Sequence, residues 1–155
     1  MITVPLGSLL NGFATTEWGA CLEAAPADSG THVYAIIVTA NTGQFPLYVG
    51  QTGRLCDRIG DYTTAQFHAP TDFRVGEAIK YLRTQKPCRV DFFYRPSEAH
   101  LQDEKVLIRE FLLAGYTLLN FLAAFDYKTA NRDEERSLIH KFCDMALLRS
   151  KIERT

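Results

Sequence analysis

The sequence of 155 residues lacks the features that mark a membrane or secreted protein. It has no run of about eighteen apolar residues, and its first thirteen residues contain neither Lys nor Arg, so neither a membrane span nor a signal peptide is predicted. Internal repeats and low-complexity segments are also missing. We therefore predict one cytoplasmic globular domain that does not associate with a membrane.

Closely spaced cysteines are missing as well. The four cysteines, Cys21, Cys56, Cys88 and Cys143, are far apart and form no Cys-x-x-Cys pair. The absence of a second cysteine near any of them argues against a zinc site, and the wide separation argues against a disulfide framework. Reduced and mostly buried thiols are the expected state.

Basic residues are absent from the first third of the chain. No Lys or Arg precedes Arg54, and the whole sequence has a net charge of −1 and a pI near 6.4. This balance argues against binding nucleic acid through bulk positive charge. Between Arg54 and Arg89, however, seven basic residues accompany four acidic ones. Such a surplus would suit a surface that follows a phosphate backbone, although on charge alone a solvated helical surface is the simpler interpretation.

The residue pattern predicts an α+β fold with three strands and several helices. The predicted strands are residues 31–39, 45–51 and 89–94, of which the first two form a hairpin. The predicted helices are residues 16–24, 55–62, 75–85, 97–114 and 133–151. We expect a small antiparallel or mixed sheet flanked by helices, with residues 1–30 as an N-terminal extension and residues 122–155 as a C-terminal helical extension packed on the same domain.

Two of the predicted boundaries depend on single residues. Ser97 is the predicted N-cap of the helix at residues 97–114, and Gly115 is the predicted stop. We expect this helix to be the longest in the chain. Residues 63–72, with Pro70, are predicted to form a loop.

The segment Tyr48–Gly50 and Arg58 suggest a phosphate-binding arrangement. They place a hydroxyl near the end of a strand, a glycine where the backbone is expected to leave it, and a guanidinium about one turn into the following helix. Arg58 shares one face of that helix with Leu55, Ile59 and Tyr62, so a permanent charge lies beside a face that should be buried. An anion should meet it, either a carboxylate of the protein or a phosphate.

Glu104 interrupts an apolar stripe in the same way. It falls at helical spacing with Leu101, Ile108 and Phe111, so its carboxylate is predicted to face the core. A carboxylate in that position needs a cation. The cation could be an arginine such as Arg58, or a Mg²⁺ ion that completes its coordination with water and substrate oxygens.

Together these residues resemble the GIY-YIG nuclease family over about residues 31–121. The resemblance depends on Tyr34, on Tyr48-Val49-Gly50, on Arg58 and on Glu104, with Asn120 sixteen residues after the glutamate. The first motif departs from the family, because the segment His32–Tyr34 keeps the tyrosine and lacks the glycine of Gly-Ile-Tyr. At the position four residues after the arginine, where many relatives have histidine, this chain has Tyr62.

The resemblance implies a three-stranded antiparallel sheet flanked by helices and a Mg²⁺-dependent DNA endonuclease, with Mn²⁺ as a substitute ion. In the family, the arginine contacts the scissile phosphate and the glutamate binds the metal, roles that fall here on Arg58 and Glu104. We predict Tyr34 as the general base, with Tyr48 and Tyr62 holding phosphate or water. The residues predicted to contact substrate are Gly50, Gln51, Thr52, Arg54, His68 and Asn120.

Two other functions remain open from the sequence. The chain could be an inactive module of the same fold that binds nucleic acid or protein, or an unrelated α+β interaction protein in which the tripeptide is a coincidence. For assembly, the predicted apolar face of Leu138, Phe142 and Met145 could bind a second copy or another protein. Packing of that face on the domain's own core is the alternative.

Overall fold

The structure is a computed structural model that describes residues 6–18, 30–55, 58, 62, 70–121 and 132–154. Its fold is α+β, as predicted, with helices around one antiparallel sheet. The strands are β1 (Ala14–Glu17), β2 (His32–Ala40), β3 (Gly43–Thr52) and β4 (Arg89–Pro96), in the spatial order β1-β4-β2-β3. Helices with both ends in the described residues are α1 (Leu6–Leu9), α2 (Pro70–Thr84), α3 (His100–Leu113) and α4 (Arg132–Arg154), with a 3₁₀ turn at Leu119–Phe121.

The predicted hairpin is present and forms one half of the sheet. β2 and β3 pair from His32↔Thr52 to Ala40↔Gly43, with a register shift between Ile36 and Ile37. β-Branched and aromatic residues dominate β2, which suits a strand whose two faces are both covered. Because of the pairing, residue 34 lies opposite residue 50 and residue 36 lies opposite residue 48.

The sheet has one strand more than predicted. β1 pairs antiparallel with β4, from Ala14↔Tyr94 to Glu17↔Asp91. Its four residues, Ala-Thr-Thr-Glu, are mostly exposed and carry no hydrophobic alternation, so the strand exists because β4 offers a free edge and not because of its own pattern. The predicted helix at residues 16–24 begins in this strand, and residues 19–24 lie outside the described part of the chain.

The sheet separates two hydrophobic clusters. The even-numbered residues of β2, Tyr34, Ile36 and Val38, pack with α2, α4 and Phe92 of β4. The odd-numbered residues, Val33, Ala35 and Ile37, pack with α3 and with residues of α1. This alternation follows from the period of two in a strand. Cys88 and Cys143 are free and buried in the first cluster, as expected.

Two helices begin at other residues than predicted. α2 begins at Pro70, five residues early, because proline is well suited to the first helical turn, where its missing N–H costs nothing. α3 begins only at His100, with Ala99 as N-cap, so the prediction for Ser97 was wrong. The Ser97 hydroxyl instead bonds the carboxylate of Asp103 at 2.5 Å. Its backbone N–H donates to Thr31, which holds residue 97 in the chain entering the helix.

The predicted stop of α3 at Gly115 is confirmed. Gly115 has φ 102°, a left-handed conformation that favours glycine. The N–H of Tyr116 donates to the carbonyl of Phe111, and that of Gly115 to the carbonyl of Leu112, which is the hydrogen-bond pattern of a Schellman motif. The rings of Phe111 and Tyr116 are in contact across this turn, with centroids 6.0 Å apart.

The C-terminal helix α4, not α3, is the longest in the described chain, with 23 residues. It packs against α2 and β3 through Ile139, Cys143 and Ala146. On the predicted apolar face, Phe142 packs at the core's border, whereas Leu138 and Met145 are 37% and 58% exposed. The packing neighbours, and not the apolar residues alone, select the buried face. No helix in the described residues combines the length and apolarity of a membrane span.

Candidate active site

A close contact between neighbouring strands explains the glycine of the segment Tyr48–Gly50. Tyr34 lies opposite Gly50, and a Cβ atom added at Gly50 would lie 2.4 Å from both Cζ and the hydroxyl oxygen of Tyr34. Any side chain there would collide with the ring. The strand continues to Thr52, so the glycine is needed for the approach of the ring and not, as predicted, for the exit of the backbone from the strand.

Three tyrosine rings meet on this face of the sheet and form what we call the tyrosine cluster, namely Tyr34, Tyr48 and Tyr62. In each of the three pairs the ring centroids are 6.4 Å apart. The hydroxyls of Tyr34 and Tyr62 hydrogen-bond to each other, and Phe92 stacks on Tyr34 at 4.9 Å. Tyr34 and Tyr62 are each 1% exposed, whereas Tyr48 is partly exposed. The tyrosine nearest to solvent is therefore Tyr48.

Arg58 lies against the tyrosine cluster. Its Nε donates to the hydroxyl of Tyr62 at 3.1 Å, and its Cζ lies 5.0 Å from the centroid of that ring. The backbone N–H of Arg58 donates to the carbonyl of Arg54, which is the bond expected in the predicted helix. The side chain is partly exposed. A guanidinium is thus fixed by a buried phenol while part of it remains open to solvent.

Burial keeps the three phenols protonated. It is the main cause that raises the pKa of Tyr34, of Tyr48 and of Tyr62 above the ordinary value of about 10. The positive charge of Arg58 lowers each pKa but does not offset burial. Arg58 by itself therefore does not turn any of these tyrosines into an efficient base at neutral pH. Protonated hydroxyls can donate hydrogen bonds to an anion.

Glu104 is half-buried on α3, whose buried residues Leu107 and Phe111 pack on the other face of the sheet from the tyrosine cluster. Its negative charge contributes to the raised pKa of Tyr34 and of Tyr48, after the larger effect of burial. The buried stripe of α3 contains Leu107 and Phe111 at spacings of three and seven residues from Glu104. The predicted stripe was wrong at Leu101, which is 58% exposed.

Burial and nearby charges act on Glu104 in opposite directions. Burial raises the pKa of its carboxyl, while the charges of His100 and Lys105 lower it. No three His, Cys, Asp or Glu side chains gather as metal ligands among the described residues. A Mg²⁺ ion on Glu104 would therefore draw its other ligands from water and substrate oxygens.

Asn120 binds the edge of the sheet beside Tyr48. Its Oδ1 accepts from the N–H of Val49 at 3.0 Å, and its Nδ2 donates to the carbonyl of Val49 at 2.7 Å. β3 is an edge strand, so this amide pairs a backbone donor and acceptor that would otherwise face outward. Asn120 therefore positions the strand segment that carries Tyr48 and Gly50. Its predicted contact with substrate stays a prediction.

The other predicted substrate residues lie at the end of β3 or beyond it. Gln51 and Thr52 are the last, partly exposed residues of the strand. The Thr52 hydroxyl accepts from the N–H of Arg54 at 3.0 Å, and Arg54 is exposed. His68 lies outside the described residues.

Sequence reasoning missed Arg74 and Glu135. Arg74 lines a cavity of about 80 Å³ together with Tyr48, Val75, Leu119 and Asn120, and its Nε lies 3.3 Å from the Glu135 carboxylate. Glu135 is 1% exposed. It falls four and eight residues before the buried Ile139 and Cys143, so the rule that a carboxylate on an apolar stripe needs a cation could have found it.

Comparisons of the chain with protein-family models, with curated proteins and with solved structures give no match. The geometry of the site therefore carries the proposal of function.

Proposed function

We propose that this chain is a Mg²⁺-dependent DNA endonuclease with a GIY-YIG-type active site. The observation that carries the proposal is that β2, β3 and the segment of Arg58 and Tyr62 meet at the tyrosine cluster. Tyr34 on β2 lies against Gly50 on β3, Arg58 bonds Tyr62, and the charge of Glu104 on α3 reaches two of the tyrosines. These are the residue types that the resemblance assigns to phosphate and metal.

The fold supports the same proposal. β2, β3 and β4 form a three-stranded antiparallel unit with β2 in the centre. The resemblance implies such a unit, with helices on its faces. β1 is then an addition on the outer edge of β4, remote in the strand order from β3, which carries Tyr48 and Gly50.

In the proposed reaction, the partly exposed groups contact the substrate. Arg58 binds the phosphate that is cut and neutralises the charge that develops on its oxygens. Tyr48, which stays protonated, donates to a phosphate oxygen or orients the attacking water. Tyr34 and Tyr62, which lie on the buried side of the tyrosine cluster, hold Arg58 and Tyr48 in place. Glu104 would hold a Mg²⁺ ion, which when bound supplies Lewis-acid stabilisation of the leaving oxygen.

The burial of Tyr34 changes its expected part in catalysis. A general base must reach the proton that it removes, directly or through one water. The Tyr34 hydroxyl bonds Tyr62, and its side chain is 1% exposed. We therefore propose that the proton of the attacking water passes to solvent or to a phosphate oxygen, with Tyr34 in a positioning role.

An inactive nucleic-acid-binding module is the second candidate function. The observation that favours it is the same burial, because two of the three tyrosine hydroxyls bond each other or Arg58 inside the protein. In that case Arg58 would bind phosphate without cleavage. The two functions differ in whether Glu104 and a divalent ion are needed.

Nicking of a supercoiled plasmid separates the two candidates. We expect nicking with Mg²⁺ or Mn²⁺, little with Ca²⁺, and none with excess chelator. Arg58→Ala and Glu104→Gln should each reduce the rate by about 100-fold or more, the cost typical of removing one group that stabilises developing charge. Circular dichroism of each variant checks that the fold is retained.

Matched variants on α3 control for a general loss of charge. Arg109→Ala and Glu110→Gln change exposed residues of the same types, and we expect both to nick at the wild-type rate. Nicking that persists in chelator, or in both site variants, would refute the proposed endonuclease. Metal-independent DNA binding without any nicking would support the inactive module.

A further inference from the structure

Arg74 and Glu135 form an ion pair that lies beside the tyrosine cluster. The Nε of Arg74 is 3.3 Å from Oε1 of Glu135, and the two side chains are 12% and 2% exposed. Arg74 belongs to α2 and Glu135 to the first turn of α4, so the pair joins two helices. A buried ion pair contributes little net stability, because the loss of hydration offsets the attraction of the charges. A role in holding Arg74 in place explains the pair better.

The cavity that Arg74 lines adjoins the tyrosine cluster. It has a volume of about 80 Å³, and its described walls are Tyr48, Arg74, Val75, Leu119 and Asn120. Since a water molecule takes about 30 Å³ in the liquid, the space exceeds that of one water. Tyr48 belongs both to this cavity and to the tyrosine cluster. A ligand in the cavity would therefore lie next to whatever Arg58 binds.

The polar groups at the cavity favour an anion. Arg74 presents only hydrogen-bond donors, in a planar fork that matches the oxygens of a phosphate. The Tyr48 hydroxyl keeps its proton and can donate as well. Asn120 is engaged with Val49 and fixes the wall that carries Tyr48. Glu135 accepts from Arg74 at the buried end of the pair, which orients the guanidinium.

We propose that Arg74, positioned by Glu135, and Tyr48 form a second phosphate subsite that binds the phosphodiester adjacent to the one held by Arg58. The identity of the ligand as DNA rests on the proposed nuclease function. The subsite gives α4 a part in substrate binding, because its Glu135 sets the position of an arginine on α2. A single-stranded segment of DNA would then contact two arginines in succession.

The test measures binding of a fluorescent single-stranded oligonucleotide by anisotropy, in chelator so that no cleavage occurs. The variant Arg74→Met/Glu135→Leu removes both members of the pair, so that no unpaired charge is buried and the net charge is unchanged. The slope of log affinity against log salt should become shallower by about 0.7, the value for one lost phosphate contact on a single strand. Arg83→Met, an exposed arginine near the end of α2, is the control and should keep the wild-type slope.

Single methylphosphonate substitutions, which remove the charge of one phosphate at a time, locate the contact. In the wild-type protein we expect methylphosphonates at two adjacent positions to weaken binding. In the double variant we expect only one such position, because the protein has already lost the contact that the second methylphosphonate would remove. Arg74→Lys should keep the fold and lose only part of the contact, since an ammonium lacks the fork. If the double variant does not fold, Arg74→Gln/Glu135→Gln, which removes both charges and keeps polar side chains at both positions, carries the same comparison.

The outcomes separate this inference from the proposed function. Equal slopes and equal interference patterns in the wild-type protein and the double variant that removes both charges, or no binding by the wild-type protein, would overturn the subsite. Plasmid nicking with an unchanged interference pattern would overturn the subsite alone. Interference that depends on Arg74, together with no nicking in Mg²⁺, would support the subsite and refute the nuclease.

Discussion

The polar cluster between α2 and α4 and the tyrosine cluster contain similar side chains but pair them differently. Between α2 and α4, the carboxylate of Glu77 lies 3.2 Å from Nε of Arg136 and 2.8 Å from Nε2 of His140. Tyr81 stacks on His140 with centroids 3.9 Å apart and donates its hydroxyl to Asp144 at 2.7 Å. In the tyrosine cluster, the hydroxyls of Tyr34 and Tyr62 instead meet each other and Arg58.

The difference lies in where the negative charge comes from. The α2–α4 cluster has its own carboxylates, Glu77 and Asp144, so its cations and its phenol are matched within the protein. The tyrosine cluster instead joins phenols to a partly exposed guanidinium, and its Tyr62 hydroxyl accepts from Arg58. In the proposed function this guanidinium binds a phosphate, whereas the matched carboxylates of the other cluster hold two helices together. Substitutions in the two clusters should therefore separate stability from activity.

The largest effect on stability is expected at Gly50. Gly50→Ala places a methyl group 2.4 Å from the Tyr34 ring, so the ring must move, at a cost of about 1–3 kcal/mol in the free energy of unfolding. Because Tyr34 supports the tyrosine cluster, nicking should be lost as well. Urea denaturation measures the stability of the purified variant.

The matched control for this prediction is Gly53→Ala. A methyl group at Gly53 would come no closer than 3.9 Å, to Thr31, and the change in stability should stay within about 0.5 kcal/mol. Equal losses at positions 50 and 53 would show that the contact between Tyr34 and Gly50 does not matter.

The second effect tests the α2–α4 cluster. Glu77→Gln removes the charge that Arg136 and His140 share and should cost about 1–3 kcal/mol, while nicking by the folded protein stays at the wild-type rate. Asp133→Asn, at an 88% exposed side chain that also pairs with Arg136, should cost less than about 0.5 kcal/mol. Thermal unfolding and plasmid nicking give the two measurements. A loss of nicking in folded Glu77→Gln would contradict the division between the clusters.

The third effect ranks the two buried tyrosines. Tyr34→Phe and Tyr62→Phe each break the bond between the hydroxyls and should cost about 1 kcal/mol. Tyr62→Phe also removes the hydroxyl that accepts from Nε of Arg58, so we expect it to slow nicking more than Tyr34→Phe. Initial rates at saturating DNA decide the order. The reverse order would restore Tyr34 as the general base predicted from the sequence.

The smallest effect on stability is expected at Glu104. Here the substitution should stabilise the protein, whereas the substitutions above should destabilise it. The Glu104 carboxyl has a raised pKa in the folded state, so the ionised form costs stability above that pKa, and the cost disappears as the pH falls through it. Glu104→Gln should therefore raise the melting temperature slightly at neutral pH, and the gain should vanish on acidification. Wild-type nicking should also fall on acidification, starting above the ordinary glutamate pKa of about 4.3, because the protonated carboxyl does not bind metal. A lower melting temperature of the variant at neutral pH would contradict this.

Local patterns predicted much of the framework. The hairpin of β2 and β3, the strand β4 and the stop at Gly115 follow from alternation, turn residues and backbone freedom, which act over a few residues. The same alternation placed Tyr34 and Tyr48 on one face of the sheet. Local patterns failed for β1, which needs the edge of β4, and for Ser97, whose hydroxyl bonds Asp103 instead of capping α3.

By itself, the sequence determined the strand and helix types and the presence of an arginine and a glutamate beside apolar faces. Only the tertiary structure decided what those groups meet. Tyr34 and Tyr62 are 28 residues apart in the chain, and Arg74 and Glu135 are 61 apart. Such contacts depend on how whole elements pack, because the period of a strand or helix fixes the face of a side chain but not the partner that covers it.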